Sequence, residues 1–360
     1  MPKTTQNTQF GRFVPPEDRW LALAEIEPVL EPELPIIDAH HHLWHRHAAG
    51  AGGSGEHRYM LNEVLADLNS GHNVIASVFV EDSLTGNMVR ADGPKRFRPL
   101  GEVEFANGIA AMSASGNYGP TRVAAGIVGF VDLTLGDEAG PVLEAMIAAC
   151  GGRFRGVRGS GNWDADPIIG NGKGATPDLF RSPTYEAGFR KLIDLNLSFD
   201  AWVFHPQIGE VTRLAQRFPE ANIILGHMGG ILGYGPYANR KDEVFAAWKG
   251  SMEELATCGN VSVKLGGQVM RLAAFDYGKL ERPPGSKELA SVWRPYFETC
   301  VELFGADRCL FESNFPVDRM LCCYRTLWNA FKLMVAGASV AEKLALLGGT
   351  ASRVYRLGIK

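Results

Sequence analysis

Residues 34–42 read LPIIDAHHH, an apolar run of strand type that ends in three histidines. Side chains alternate across a strand, so Asp38, His40 and His42 share one face and His41 points to the other. Two histidines on one face can hold a metal ion or a substrate oxygen, since neutral imidazole is both a ligand and a proton carrier near pH 7. Asp38 is expected to orient His40 or the following loop. A solvated turn of histidines is the alternative, and the rest of the chain argues against it.

Seven further β-rich runs follow the first one along the chain. The predicted strands are 34–39, 73–81, 122–132, 154–158, 197–203, 221–225, 260–265 and 308–312. Between most of them the apolar residues recur with helical periodicity, as at 141–150, 185–195, 208–218, 242–258 and 287–304. Alternation of strand and helix specifies parallel pairing with right-handed crossovers, and eight such units predict a closed (β/α)8 TIM barrel. Two more helices are predicted at 324–335 and 340–347.

The domain organisation follows from length and composition. The chain has 360 residues, of which 46% are hydrophobic, and barrels of this length often form one domain. Residues 34–360 are predicted to form the barrel domain. Residues 1–33, rich in Pro, Glu and polar side chains, are predicted to form an N-terminal arm that wraps the barrel or meets another subunit of a homo-oligomer.

Three long loops follow predicted strands, at 45–58, 85–119 and 163–177. Loops of more than about 12–15 residues are usually functional or disordered. All three lie at the carboxyl ends of strands, where barrel enzymes place their chemistry, so they are predicted to be lids and substrate walls. For the Gly/Ala-rich first loop, a flexible linker is an equal alternative.

The charge pattern argues against several kinds of partner. The formal net charge is -4, with both signs interspersed, so neither nucleic acid nor a membrane surface is expected to bind. The start of the chain lacks a signal-peptide pattern, and no stretch reaches the ~18 apolar residues of a membrane span. Six cysteines without CxxC spacing indicate reduced thiols. We therefore expect a cytoplasmic protein with a small-molecule partner.

Polar residues stand at the ends of most of the predicted strands. They are Glu81, Arg158, His205, His227, Lys264, Glu312 and Asn314. Because a closed barrel brings the ends of its strands to one mouth, four histidines remote in sequence are predicted to converge there: His40, His42, His205 and His227.

Each of these residues also has a structural alternative. His205 could cap a helix start, and His227, within the segment GHMGG, could serve a tight turn. Arg158 could pair with a structural carboxylate. Lys264 and Glu312, on neighbouring strands, could form a buried ion pair.

The motifs resemble those of the amidohydrolase superfamily, in particular its amidohydrolase-related branch, which includes 2-pyrone-4,6-dicarboxylate lactonase and sugar lactonases. The resemblance rests on DAHHHLW at 38–44, His205, GHMGG at 226–230 and RCLFESNFPVD at 308–318. It covers roughly residues 34–356.

The resemblance implies roles for the four histidines. His40, His42 and His205 would hold a divalent metal ion, with zinc favoured and no organic cofactor, although the family includes members that work without metal. His227 would polarise a carbonyl or shuttle protons.

One position departs from the family pattern. Where the family usually carries an aspartate that takes the proton of the attacking water, this chain has Asn314, whose amide has no accessible protonation equilibrium. His227, Glu312 or a folded-back Asp318 are the candidate replacements, and His227 or Glu312 is favoured.

The resemblance implies a catabolic hydrolase of a small carboxylated cyclic ester, a lactone. His227, Glu312 and Asn314 would be catalytic, with Asn314 as a donor to the oxyanion. Arg158 would hold the substrate carboxylate, and Lys264 would also line the substrate site. Glu81 is the third predicted substrate-binding residue. Amide hydrolysis, non-oxidative decarboxylation and a non-catalytic barrel that binds a small acid are the alternatives.

Overall fold

The computed structural model of the chain describes residues 18–46, 57–82, 88–172, 174–267 and 280–359. Its strands are β1 (Pro35–His41), β2 (Trp44–Arg46), β3 (His57–Tyr59), β4 (Asn73–Val80), β5 (Arg122–Gly129), β6 (Phe154–Ser160), β7 (Ser198–Trp202), β8 (Asn222–Leu225), β9 (Val261–Leu265) and β10 (Cys309–Phe311). Eight of them form one parallel sheet in the order β1-β4-β5-β6-β7-β8-β9-β10. Strands β2 and β3 form a separate antiparallel ladder.

The two edges of the large sheet meet, which closes the barrel. The backbone N–H of His42 donates to the carbonyl of Phe315 at 2.7 Å, and that of Asn314 donates to the carbonyl of His40 at 2.9 Å. These bonds join the end of β1 to the segment after β10. The predicted (β/α)8 TIM barrel is confirmed, and each of the eight predicted strands overlaps an observed one.

Helices cover the outside of the barrel and its ends, with the exception of His227–Gly230, a buried turn in which every φ is positive. They are α1 (Asp18–Leu21), α2 (Leu61–Leu68), α3 (Leu100–Ala114), α4 (Ala139–Ala149), α5 (Pro183–Asp194), α6 (Ile208–Arg217), α7 (His227–Gly230), α8 (Lys241–Ala256), α9 (Ser286–Phe304), α10 (Tyr324–Met334), α11 (Val340–Leu344) and α12 (Thr350–Val354). A π-helical turn, Ala345–Gly349, joins the last two. Helix α6 shows why they form, because Ile208, Val211, Leu214 and Ala215 recur at helical spacing and are all buried.

Helix α3 corrects one expectation. The stretch 85–119 was predicted to be a long loop, but it contains this helix of 15 residues. Gly101 and Gly108 weaken the helical signal in the sequence. Burial of Val103, Ala106 and Ile109 against the barrel compensates for that weak propensity. Of the other two predicted loops, residues 47–56 and 173 lie outside the described residues, as do residues 85–87 of this one.

The described part of the N-terminal arm is fastened to α9 and α10. A Glu27 carboxylate oxygen accepts from the backbone N–H of Ser286 at 2.6 Å, and the Asn329 side chain accepts from the backbone N–H of Leu30 at 2.9 Å. Residues 1–17 of the predicted arm lie outside the described residues. Contact of the arm with another subunit stays a prediction.

Within the described residues, no helix has both the length and the apolar character needed to cross a lipid bilayer. The six cysteines are free thiols, as expected.

Candidate active site

A buried cluster of ionisable side chains lies where the ends of three strands meet. His40 comes from β1, His227 follows β8, and Glu312 follows β10. Their ligand atoms all lie within 4.8 Å of one another, and each residue is at most 3% exposed. The closed barrel brings together residues that are up to 272 positions apart in the sequence, from 40 to 312.

Glu312 holds His227 through two hydrogen bonds. Its Oε1 accepts from His227 Nδ1 at 2.6 Å and from the backbone N–H of the same residue at 3.1 Å. When Nδ1 is the only ring nitrogen that carries a hydrogen, the imidazole presents a lone pair on Nε2. Burial alone would raise the pKa of Glu312, but the charges and hydrogen bonds of His227 and Lys264 outweigh it and hold the pKa below its usual value.

Two glycines after β9 make this close approach feasible. A Cβ at Gly267 would lie 2.4 Å from His227 Nδ1, and a Cβ at Gly266 would lie 2.3 Å from the carbonyl oxygen of Glu312. Gly267 also has a φ of +69°, in the region that favours glycine. His227 itself has a φ of +53°, so the turn that presents it is strained.

His40 and His42 form the middle of a directional chain of hydrogen bonds. Lys264 Nζ donates to His40 Nδ1 at 3.3 Å, and the Nε2 atoms of His40 and His42 are 3.1 Å apart. His42 Nδ1 donates to the Val80 carbonyl at 2.9 Å. His42 Nε2 therefore carries no hydrogen and accepts the hydrogen bond that His40 Nε2–H donates. Burial first, and then the charge of Lys264, holds the pKa of His40 well below its usual value, so His40 is neutral.

Lys264 has a partner that sequence reasoning missed. Its Nζ donates to Asp200 Oδ2 at 2.7 Å, whereas Glu312 Oε2 is 3.9 Å away. Tyr355 donates its hydroxyl hydrogen to the same Asp200 oxygen at 2.7 Å. Asp200 lies between two buried apolar residues in β7, and an inward-facing carboxylate in an apolar strand was the signal available in the sequence.

Arg158 and Glu81 form a buried ion pair. Arg158 Nε donates to Glu81 Oε1 at 2.6 Å, and both side chains are at most 7% exposed. A third group, Glu102, lies beside them and was not predicted. Burial, followed by the charge of Glu81, raises the pKa of Glu102 well above its usual value.

His205 lies in different surroundings from the cluster. Its Nδ1 accepts from the backbone N–H of Leu232 at 3.3 Å, and its ring packs edge-on against Tyr237 with 5.1 Å between centroids. Burial lowers the pKa of His205 to about 4. Within the described part of the chain, the group arranged to hold a metal comprises His40, His227 and Glu312 and does not include His205.

The Asn314 side chain forms a hydrogen bond within the segment that follows β10. Its Nδ2 donates to Asp318 Oδ1 at 2.9 Å, so Asp318 does fold back from the segment after β10, but onto Asn314. Asp38 binds the same segment, because its Oδ1 accepts from the backbone N–H of Ser313 at 2.9 Å and that of His40 at 3.2 Å. Asp38 therefore orients the backbone around His40.

The donor set of the cluster fits a divalent metal ion. Two imidazoles and one carboxylate are a ligand set found in catalytic zinc sites. Glu312 Oε2 is buried and accepts no hydrogen bond from the described residues, although His40 Nδ1 lies only 2.8 Å away. A buried carboxylate oxygen that accepts no hydrogen bond has a lone pair available to bind a cation.

Comparisons with known proteins agree with the fold and the motifs. The uncharacterized protein y4mH of Sinorhizobium fredii is 29% identical over 344 residues, which cover 90% of this chain and 99% of that protein. An L-fucono-1,5-lactonase of Burkholderia multivorans is 25% identical over 329 residues, covering 89% and 96%. The crystal structure of a zinc-bound amidohydrolase from Burkholderia multivorans superposes with a TM-score of 0.67 at 24% identity, covering 89% and 99%, and this likeness shows a shared fold.

The family itself is shown by a match that spans almost the whole barrel. The profile of the amidohydrolase family matches residues 37–357, from the first barrel strand to the residues after α12. The resemblance inferred from residues 38–44 and 308–318 is thereby confirmed, and the chain belongs to the amidohydrolase family.

Proposed function

We propose that this protein is a hydrolase that opens a small carboxylated lactone by attack of water on the ring carbonyl. The observation that carries the proposal is the hydrogen bond from His227 Nδ1 to Glu312 Oε1, within a buried cluster that also contains His40. An imidazole whose Nδ1 is held by a carboxylate is oriented as a general base. The named activity of the lactonase relative supports this reaction class.

In this mechanism His227 moves the proton. Its Nε2 takes a proton from water as the water oxygen bonds to the carbonyl carbon. The Glu312 carboxylate stabilises the imidazolium that forms, since opposite charges in a buried site interact strongly. When the ring C–O bond breaks, the same proton passes to the departing alkoxide oxygen. This assignment gives the missing aspartate's task to His227 and Glu312 together.

Lys264 supplies a fixed positive charge beside the cluster. Asp200 and Tyr355 hold its ammonium group in place, and the ammonium donates to His40 Nδ1. The donation fixes the tautomer of His40, with its proton on Nε2 towards His42. Lys264 therefore acts here as a positioning residue, and its predicted contact with substrate stays a proposal.

Alternatively, a divalent ion, zinc by its donor set, would be held by His40, His227 and Glu312. The lone pairs of both imidazoles would then go to the ion, so this metal-loaded form would not use His227 as the base. When bound, the ion would supply Lewis-acid polarisation of the carbonyl and a more acidic water. Roles for His42 and His205 as further ligands stay predictions. Metal analysis of the purified protein, and of a Glu312→Gln variant that should retain less metal, tests the site.

Arg158 is proposed to bind the substrate carboxylate. Glu81 takes its Nε–H and one Nη2–H, whereas a guanidinium has five donors in all. The ion pair therefore orients the guanidinium for a second carboxylate. An Arg158→Lys variant should raise the KM for a carboxylated lactone about tenfold or more and leave the KM for an uncharged lactone almost unchanged.

A pH-indicator assay tests the reaction itself. The protein is given 2-pyrone-4,6-dicarboxylate as a carboxylated lactone and L-fucono-1,5-lactone as an uncharged one. Proton release is expected, and His227→Asn should lower turnover by about 10²–10⁴-fold without changing thermal stability by more than a few degrees. Carbon dioxide from a carboxylated aromatic acid would indicate a decarboxylase, and proton release from amides alone an amide hydrolase.

His72→Asn is the matched control. His72 directly precedes β4, at the amino end of the barrel opposite the cluster, so the turnover of this variant per folded molecule should equal that of the wild type. Binding of these acids without any turnover would contradict the proposal and favour a binding protein.

A further inference from the structure

A cavity of about 580 Å³ lies beside the carboxyl ends of β5 and β6. Residues of the segments at 95–99 and 130–135 line it, together with Gly159 and Ser160 of β6. The described residues that line it include neither the His40–His227–Glu312 cluster nor the Arg158–Glu81 pair. Its volume is within the range of small-molecule sites.

The walls of the cavity are mostly apolar, and one buried polar group among them has no hydrogen-bond partner in the described part of the chain. Val89, Phe130 and Leu133 are among the apolar lining residues. Tyr185 also lines the cavity, is 3% exposed, and its hydroxyl has no hydrogen-bond partner among the described residues. An unsatisfied buried hydroxyl costs about 1–3 kcal/mol, so a ligand that accepts from it would be stabilised.

A glycine of β6 makes room for that hydroxyl. A Cβ at Gly159 would lie 2.5 Å from the Tyr185 hydroxyl oxygen. Burial, followed by the charges of Asp132 and Glu210, raises the pKa of Tyr185 well above its usual value. The hydroxyl therefore keeps its hydrogen and can act as a donor.

The rim of the cavity is positively charged. Lys95, Arg96 and Arg98 all line it, against one lining carboxylate, Asp132, whose Oδ1 already accepts two hydrogen bonds from Thr134. Arg96 is 3.7 Å from the exposed Glu138, a distance at which an exposed ion pair contributes little. The cavity lining thus carries a local excess of positive charge, although the chain as a whole has a formal net charge of -4.

We propose that this cavity is a second ligand site, which binds a small organic anion with an apolar body. The anionic group lies at the rim between Arg96 and Arg98, the hydrocarbon part contacts the apolar walls, and an acceptor atom at the far end receives the hydrogen bond of Tyr185. 4-Hydroxyphenylacetate has this arrangement of groups and serves as the probe.

Isothermal titration calorimetry at low ionic strength tests the proposal. Saturable binding of 4-hydroxyphenylacetate is expected, about tenfold tighter than that of its uncharged amide. Arg98→Gln should weaken binding about five- to tenfold, because it removes a charge-assisted contact, and Tyr185→Phe about three- to tenfold. Arg19→Gln, an exposed charge on the N-terminal arm, is the matched control and should leave binding unchanged.

The titration also separates this site from the candidate active site. His227→Asn should bind the probe as the wild type does, whether or not the protein proves to be a lactonase. Loss of binding in His227→Asn would place the anion at the cluster and overturn the proposal. Absence of saturable binding, or equal affinity in wild type, Arg98→Gln and Tyr185→Phe proteins with unchanged thermal stability, would overturn it as well.

Discussion

The two carboxylate oxygens of Glu312 face different neighbouring groups. Oε1 accepts from the ring and the backbone of His227, while Oε2 lies 2.8 Å from His40 Nδ1 and 3.9 Å from Lys264 Nζ. The carboxylate thus orients one imidazole and balances the charge of the ammonium. A neutral amide of the same shape would still orient the His227 imidazole but would no longer balance the charge of the Lys264 ammonium group.

Replacement of Glu312 by glutamine should therefore lower turnover and leave the fold intact. The amide oxygen of the new side chain can still accept from His227 Nδ1, but without a negative charge there the imidazolium that forms during proton transfer is less stable. We expect kcat to fall about 10²–10³-fold with KM changed by less than threefold, measured by steady-state kinetics on a hydrolysed lactone. Glu253→Gln, an exposed change on α8, is the control. Equal losses in the two variants would contradict the assigned role.

At the scale of elements, the ends of the strands decide which side chains can meet. The turn after β8 presents His227 with a positive φ, and the glycine pair after β9 leaves the space in which His227 and Glu312 approach each other. A side chain at either glycine would collide with one of them. These backbone features belong to neighbouring strand ends and act as one unit.

Gly267→Ala should therefore reduce both activity and stability. The added Cβ would lie 2.4 Å from His227 Nδ1 at a residue with φ of +69°, so His227 must move. We expect at least a tenfold loss of turnover and a loss of about 1–3 kcal/mol in the free energy of unfolding, measured by urea denaturation.

Gly250→Ala is the matched control for this change. Gly250 lies within α8, and a Cβ there would meet no atom within 4 Å. Alanine in a helix interior should raise the free energy of unfolding by about 0.5–1 kcal/mol. If Gly267→Ala were as harmless as this control, the tight contact would not constrain the site.

At the scale of the whole molecule, a buried polar cluster holds the N-terminal arm at the end of the barrel opposite the candidate active site. Lys332 Nζ donates to the carbonyls of Leu30 and Glu31 at 2.8 Å and to His72 Nδ1 at 3.1 Å. Burial, followed by the charge of Lys332, lowers the pKa of His72 to about 4. His72 is thus neutral in the folded protein and accepts from the ammonium group.

This cluster predicts a loosening of the arm in acid. The unfolded chain binds a proton at His72 near pH 6.5, whereas the folded chain resists it until about pH 4, so the stabilisation is complete above pH 6.5 and is lost as the pH falls through 4. We expect amide hydrogen exchange at residues 28–34 to become about tenfold faster, relative to the barrel strands, between pH 7 and pH 4 after correction for intrinsic rates. In a His72→Gln variant this difference should shrink. An arm that exchanges equally at both pH values would contradict the prediction.

Hydrophobic patterning and strand-end residues in the sequence determined the barrel, its eight strands and the family. Local periodicity is enough for that, because alternating strand and helix leave few ways to bury both apolar faces. That His40, His227 and Glu312 meet at one end of the barrel followed from their positions after predicted strands, whereas their roles stay predictions. Helix α3 was not predicted because its glycines lower its helix propensity. Burial against the barrel, a tertiary effect, compensates for that low propensity.

Only the tertiary structure decided which polar groups pair with which. Lys264 lies closer to Asp200 than to Glu312, Arg158 is already bound by Glu81, and His205 lies against Tyr237. Position after a strand specifies the end of the barrel on which a side chain lies. Its partner, however, is set to within an ångström by bulges, turns with positive φ and glycines, which carry no periodic signal in the sequence.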